Sequence, residues 1–153
     1  ELRVVDISNP FSPVAHSGSG YNLSDSVDAQ AIAVTGTSAV IGRKAGSFIE
    51  ELVLFDLEDR VVPAPPPGPW YREVGSFVAG LQLDLTQRYA FSAQGASGHH
   101  LSILDLVKWS ENQSPLAAQI SLPTGEARAL FYDAPKDRLY VVTATALYVY
   151  RPS

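Results

Sequence analysis

The chain has 153 residues, 46% hydrophobic and 18% charged, with 11 Gly, 11 Pro, no Cys and no Met. That length suffices to bury a core and reads as one domain, and the aliphatic content excludes a disordered chain. A formal charge of -5 with scattered Lys and Arg gives no basic stripe for a phosphate backbone, and no apolar run approaches the roughly 20 residues of a membrane-spanning helix. Neither nucleic acid nor a membrane span is therefore expected, and disulfides and thiolate zinc sites are removed.

In chain order, the first expected strand is the apolar run "LRVVDI" from Leu2, closed by an acid and by the turn Asn9-Pro10. It is followed by "SPVAHS", a loop, "AIAVTG", a short turn and "SAVIGR". The run "LVLFDL" from Leu52 then leads to "YREVGSFV", "LQLDLT", a turn at Gln87-Arg88, and "YAFSAQ". The run "LSILDL" from Leu101 leads to "LAAQISL", "RALFYD", the turn "APKDR" and "LYVVTAT", and a clipped run from Leu147 ends the chain. Each piece is short, rich in β-branched and aromatic residues, and bounded by Gly, Pro, Asp or Ser, which is the pattern of strands. Helical periodicity is nearly absent; "GLQLDLTQRY" alternates with period two and reads as a strand.

The opening leucines, Leu2, Leu52, Leu101 and Leu147, are spaced by 50, 49 and 46 residues. Four short strands in a period of about 40–50 residues point to propeller blades. "LRVVDI" and "LVLFDL" are apolar on both faces, as strands packed between neighbouring blades must be. The expected fold is therefore all-β, a partial β-propeller of about three four-stranded blades forming an arc of a larger ring. The repeats span residues 2–51, 52–100 and 101–146 of a single segment 1–153, with a terminal strand at 147–153. A β-sandwich is the alternative.

"LRVVDISNPFSPV" resembles the repeat named for its Leu-Val-Ile-Val-Asp core, in which the core is followed by Ser-x-Pro and a further Pro, here Ser8, Pro10 and Pro13. The later runs keep the apolar core and the acid, at Asp56 and Asp105, but lack the Ser-x-Pro tail; Arg151 replaces the acid in the last. The middle repeat is also similar, more loosely, to blades of lactonase-like propellers. Both resemblances imply the propeller fold and no one activity, since that fold hosts scaffolds, sugar binders and enzymes.

With each Leu-run as the third strand of a blade, the chain reads c-d, a-b-c-d, a-b-c-d, a-b-c. Two complete blades between two partial ones are too few for a ring of 4–8. Together with a start at Glu1, this leads to the expectation of a processed or excised piece, whose partner is the remainder of the propeller, as another chain or a cleaved segment. The sequons at Asn22 and Asn112 are compatible with an exported, extracellular or cell-surface protein.

No phosphate loop, nucleophile elbow, zinc helix or calcium loop is present in the sequence, and no cofactor is expected. The d–a and b–c connections should share one rim, at the mouth of the central channel. That places Tyr21, Asp25, Asp28, Arg43, Lys44, His99, His100, Glu126 and Arg128 together, a mixed-charge set able to take a small anion, a sugar or a protein side chain. His99 and His100 are adjacent in an extended segment and so point to opposite faces, which disfavours a shared metal. The opposite rim carries the proline run from Pro63 to Pro69, an extended excursion ending on Trp70, which either docks in an aromatic-lined groove or folds back on its own blade. The recurring Asp6, Asp56 and Asp105 are expected to accept N–H groups of the turn that follows each.

The leading functional expectation is a protein- or glycan-interaction module acting through its rim loops. The alternative is a fragment of a propeller hydrolase or lyase, with His99 or His100 as base and Arg43 or Arg128 holding an anion. A purely structural segment of a larger surface protein is the third.

Overall fold

Alternating, two-sided apolar runs can be buried only if sheets stack on both of their faces, and the computed structural model has that arrangement. It describes residues 2–21, 28–44, 51–58, 71–86, 88–95 and 98–151. The first sheet pairs β1 (Leu2–Asp6) with β2 (Val14–Tyr21). The second runs in the order β3 (Ala29–Thr35), β4 (Ser38–Arg43), β5 (Leu52–Asp56), β6 (Tyr71–Arg72). The third runs β7 (Val78–Leu83), β8 (Tyr89–Gln94), β9 (Leu101–Asp105), β10 (Leu116–Ile120). The fourth has β11 (Ala127–Asp133), β12 (Arg138–Thr143) and β13 (Leu147–Tyr150). All pairings are antiparallel between neighbours, so this is an arc of a β-propeller: c-d, a-b-c-d, a-b-c-d, a-b-c.

Burial follows the stacking. Ala39, Ile41, Val53 and Phe55 face Leu2 of the first sheet. The alternate residues Ala33, Val40, Leu52 and Leu54 face Val78, Leu81, Leu83, Ala90 and Leu104 of the third sheet. The other face of the third sheet packs Ala93 and Leu101 against Leu130, Leu139 and Val141 of the fourth. Each large aliphatic side chain so buried contributes about 1.5–3 kcal/mol. Tight turns hold the hairpins: Gly36 lies in the left-handed region (φ 51°) between paired Thr35 and Ser38. Asp137 (φ 48°) closes the short 3-10 turn Ala134–Lys136 between β11 and β12.

Two local features differ from the sequence reading. "YREVGSFV" is not one outer strand: only Tyr71 and Arg72 pair with β5. The N–H groups of Val74 and Gly75 donate instead to Glu51 Oε2 (2.8 and 3.3 Å), and Gly75 turns into positive φ, which takes the chain out of the ladder. After β9, where the sequence reading placed no helix, a short helix α1 (Leu106–Ser110) forms and buries Leu106 and Trp109. Asp105 caps it, accepting from the N–H groups of Val107 and Lys108 at 3.1 and 3.3 Å. No helix among the described residues is long and apolar enough to cross a membrane.

Candidate functional site

The topology brings the starts of the a strands and the ends of the b strands to one rim, so most of the sequence-derived candidates share it. In the second sheet the N–H of Lys44 donates to the Asp28 carbonyl (3.0 Å) and that of Arg43 to the Glu51 carbonyl (2.7 Å), extending the ladder past its last paired residues. Asp28 and Lys44 are exposed. Arg43 is not a rim group: it ends β4 on the face it shares with Ala39 and Ile41, and is 1% exposed. An anion arriving from solvent cannot reach it there.

In the third sheet His99 is exposed, while His100 is half-buried and tied into the backbone. Its N–H donates to the Ile120 carbonyl and its carbonyl accepts from Gln94, both at 2.9 Å. Its Nδ1 accepts the N–H of Leu122 at 2.9 Å, which places the ring proton on Nε2. Through these bonds His100 pins strands b, c and d together at this end of the sheet. Glu126 and Arg128 pair with each other at 3.4 Å, an exposed pair of the kind worth about 0–1 kcal/mol. Trp70, Asp25, the proline run and the Tyr21 side chain lie outside the described residues. Among the described residues no group of three His, Asp or Glu stands close enough together to hold a metal ion.

A second feature lies on the opposite rim, where the a–b turns are. A cleft of about 470 Å³ opens between the third and fourth sheets, walled by Tyr89, Phe91 and Ile103 on one side and Tyr132, Leu139 and Tyr150 on the other. Phe91 and Tyr132 approach with ring centroids 5.0 Å apart. At its mouth the Tyr132 hydroxyl donates to Asp137 Oδ1 (2.7 Å); that bond, then burial and the charges of Asp137 and Asp84, push the phenol pKa up to about 12. Asp84 is engaged in the a–b turn, where its Oδ1 accepts from the N–H groups of Arg88 (2.8 Å) and Tyr89 (2.7 Å). Tyr132 in "LFYD" and Tyr150 in "LYVY", which wall this cleft, look in the sequence like the aromatics of any buried strand.

No protein-family model matches the sequence, and no curated protein sequence matches it. Solved structures do match in shape. A gluconolactonase from Xanthomonas campestris aligns with TM-score 0.57 at 16% identity, over 84% of this chain and 39% of that one. A luciferin-regenerating enzyme aligns with TM-score 0.61 at 12% identity, over 93% and 44%. The hydrazine synthase of Kuenenia stuttgartiensis aligns with TM-score 0.59 at 15% identity, over 79% and 33%. The chain thus spans between a third and under half of the length of each. At such identities the likeness carries the fold alone, and with the four stacked antiparallel sheets it establishes this chain as a segment of β-propeller.

Proposed function

We propose that this chain is an interaction segment of a β-propeller, presenting one charged rim to a protein or a glycan. The observation that carries the reading is the division of the rim groups. Asp28, Lys44, His99 and Arg128 are exposed and of mixed sign, and Glu126 stands half-exposed beside them, whereas Arg43 and His100 are withdrawn into structural roles. Solvated charges of both signs suit a polar surface, and their attraction is screened by salt. A glycan array probed with the purified chain and with Lys44→Glu/Arg128→Glu tests this. At least tenfold weaker retention by the double variant, and weakening between 0.05 and 0.5 M salt (roughly one decade of ionic strength), is expected. Retention indifferent to both would remove the reading.

A second reading has one observation in its favour, the likeness to a gluconolactonase and a luciferin-regenerating enzyme. In that case the rim holds a hydrolytic site, and His99 is the remaining exposed imidazole among the described candidates. Hydrolysis of gluconolactone by the chain, falling at least a hundredfold in His99→Ala with the fold intact, would make this the better account. Turnover equal to buffer would end it for the segment alone.

A further inference from the structure

The second and third sheets share one joint between the a–b turn and the end of the Leu-run, built with different side chains. Ser38 pairs with Asp56 as Tyr89 pairs with Asp105. The N–H of Leu57 donates to the Thr37 carbonyl at 2.6 Å, as that of Leu106 donates to the Arg88 carbonyl at 2.7 Å. Thr37 and Ser38 therefore stand where the third sheet has Arg88 and Tyr89. The two acids use one oxygen alike, since each Oδ1 accepts N–H groups of the chain that turns away. They differ at the other. Asp105 Oδ2 has the Arg88 guanidinium at 3.4 Å, and that guanidinium lies over the Tyr89 ring, 5.2 Å from its centroid. Thr37 has no charge and Ser38 no ring, and no ion pair reaches Asp56 among the described residues.

Space opens where these side chains are small. A cleft of about 210 Å³ lies between the second and third sheets, lined by Thr37, Ser38, Leu54, Asp56, Leu106 and Ser110. Both sheets have four strands, so the cleft is away from the two outer faces of the stack. Its chemistry is one-sided. Asp56 is the one charged group that lines it among the described residues. Ser110 Oγ donates its hydrogen to the Val107 carbonyl at 2.8 Å, which leaves its lone pairs to accept. Leu54 and Leu106 supply apolar walls. The volume falls below the roughly 300 Å³ at which drug-sized ligands begin, and suits a group the size of one side chain.

We infer that this cleft binds a guanidinium group, held at Asp56 as Arg88 is held at Asp105. A guanidinium carries donors only, which match the carboxylate and the hydroxyl oxygens, and it is weakly hydrated enough to lie against leucines. An ammonium, compact and strongly hydrated, loses more on leaving water. The group arrives either on a free alkylguanidine or on an arginine of a partner. The cleft lies on the rim opposite Lys44 and Arg128 and is independent of what that rim binds.

The test follows the backbone amides of the full chain by nuclear magnetic resonance as two probes are added, agmatine and the blocked tripeptide Gly-Arg-Gly. Saturable shifts are expected at Thr37, Ser38, Leu57, Val107 and Ser110, and none from the tripeptide carrying neutral citrulline in place of arginine. Asp56→Asn keeps an acceptor for the Glu58 N–H and should weaken binding about tenfold or more, as loss of a charged partner does. Thr37→Arg, which builds the third sheet's pair into the second, should abolish binding while amides elsewhere keep their positions. Tighter binding of the tripeptide assigns the group to an arginine of a partner, and equal or tighter binding of agmatine to a free guanidino compound; either result carries the inference. Absence of saturable shifts with both probes, equal shifts from the citrulline peptide, or undiminished affinity in Asp56→Asn or Thr37→Arg overturns it.

Discussion

The acid that closes three of the four Leu-runs does the same local work each time. Asp6 Oδ1 accepts from the Ser8 N–H and Asp56 Oδ1 from the Glu58 N–H, both at 2.8 Å, and Asp105 Oδ1 accepts from Val107 and Lys108. Each satisfies a donor that leaves the ladder as the chain turns. Burial alone would raise the Asp105 carboxyl, but the N–H of Lys108, the Arg88 guanidinium at 3.4 Å and the N–H of Val107 outweigh it and hold it below the ordinary 3.8. A folded pKa that is depressed gives stability present above the unfolded value and lost as pH falls through the folded one. Asp105→Ala should therefore cost about 1–2 kcal/mol in urea denaturation at neutral pH, with the difference shrinking below about pH 4. Tyr132 has the opposite sign. Its pKa, raised from 10.0 to about 12, makes its bond to Asp137 stabilising below the ordinary phenol range and lost as pH rises toward the folded value. An ultraviolet titration of Asp137→Asn should show the latest tyrosine transition moved down; an unchanged curve would contradict the assignment.

At the scale of elements, the close approach of β4 to β7 rests on a missing side chain. A Cβ on Gly42 would overlap the Val78 side chain, and Leu81 Cδ1 stands 3.1 Å away. Val78 is fully buried and cannot step aside. Gly42→Ala should cost about 1–3 kcal/mol by overpacking, read as a lower denaturation midpoint with an unchanged slope. Helix α1 argues the converse case, since its five residues are too few to be stable alone and are held by what they bury. Trp109→Ala should remove about 3–5 kcal/mol, a loss far beyond that of truncating an exposed aromatic.

For the whole molecule, the decisive property is that a stack of sheets has two outer faces. Phe131, Val142, Leu147 and Val149 share one face of the fourth sheet and are 58%, 42%, 60% and 46% exposed. Ile32 and Val34 on the second sheet, 53% and 56% exposed, form the corresponding patch toward the first. The faces turned the other way are buried, so exposure here follows position in the stack and not residue type. Contiguous apolar surface of this kind drives association. Light scattering should find the mass of the particle rising with concentration. Phe131→Lys/Val149→Lys should suppress that rise while changing unfolding free energy by no more than about 0.5 kcal/mol, as expected for exposed sites.

What the amino-acid sequence determined by itself was the order of strands and their assembly into a propeller arc. Those features rest on signals carried within ten or so residues: two-sided apolar runs, turn residues between them, and an acid at a fixed place in three of the four runs. The tertiary structure alone decided which polar groups are available. Arg43 sits four residues from Ala39 in a strand buried on both faces, and it takes the packing of the neighbouring sheets to make it a buried residue. His100 looks like any loop histidine until the end of β10 is brought beside it and the Leu122 N–H reaches its ring. The burial of Trp109 and the aromatic cleft were not legible for the same reason. Their environment is supplied by the neighbouring sheet, tens of residues away along the chain, and no local pattern encodes which surface that neighbour will leave uncovered.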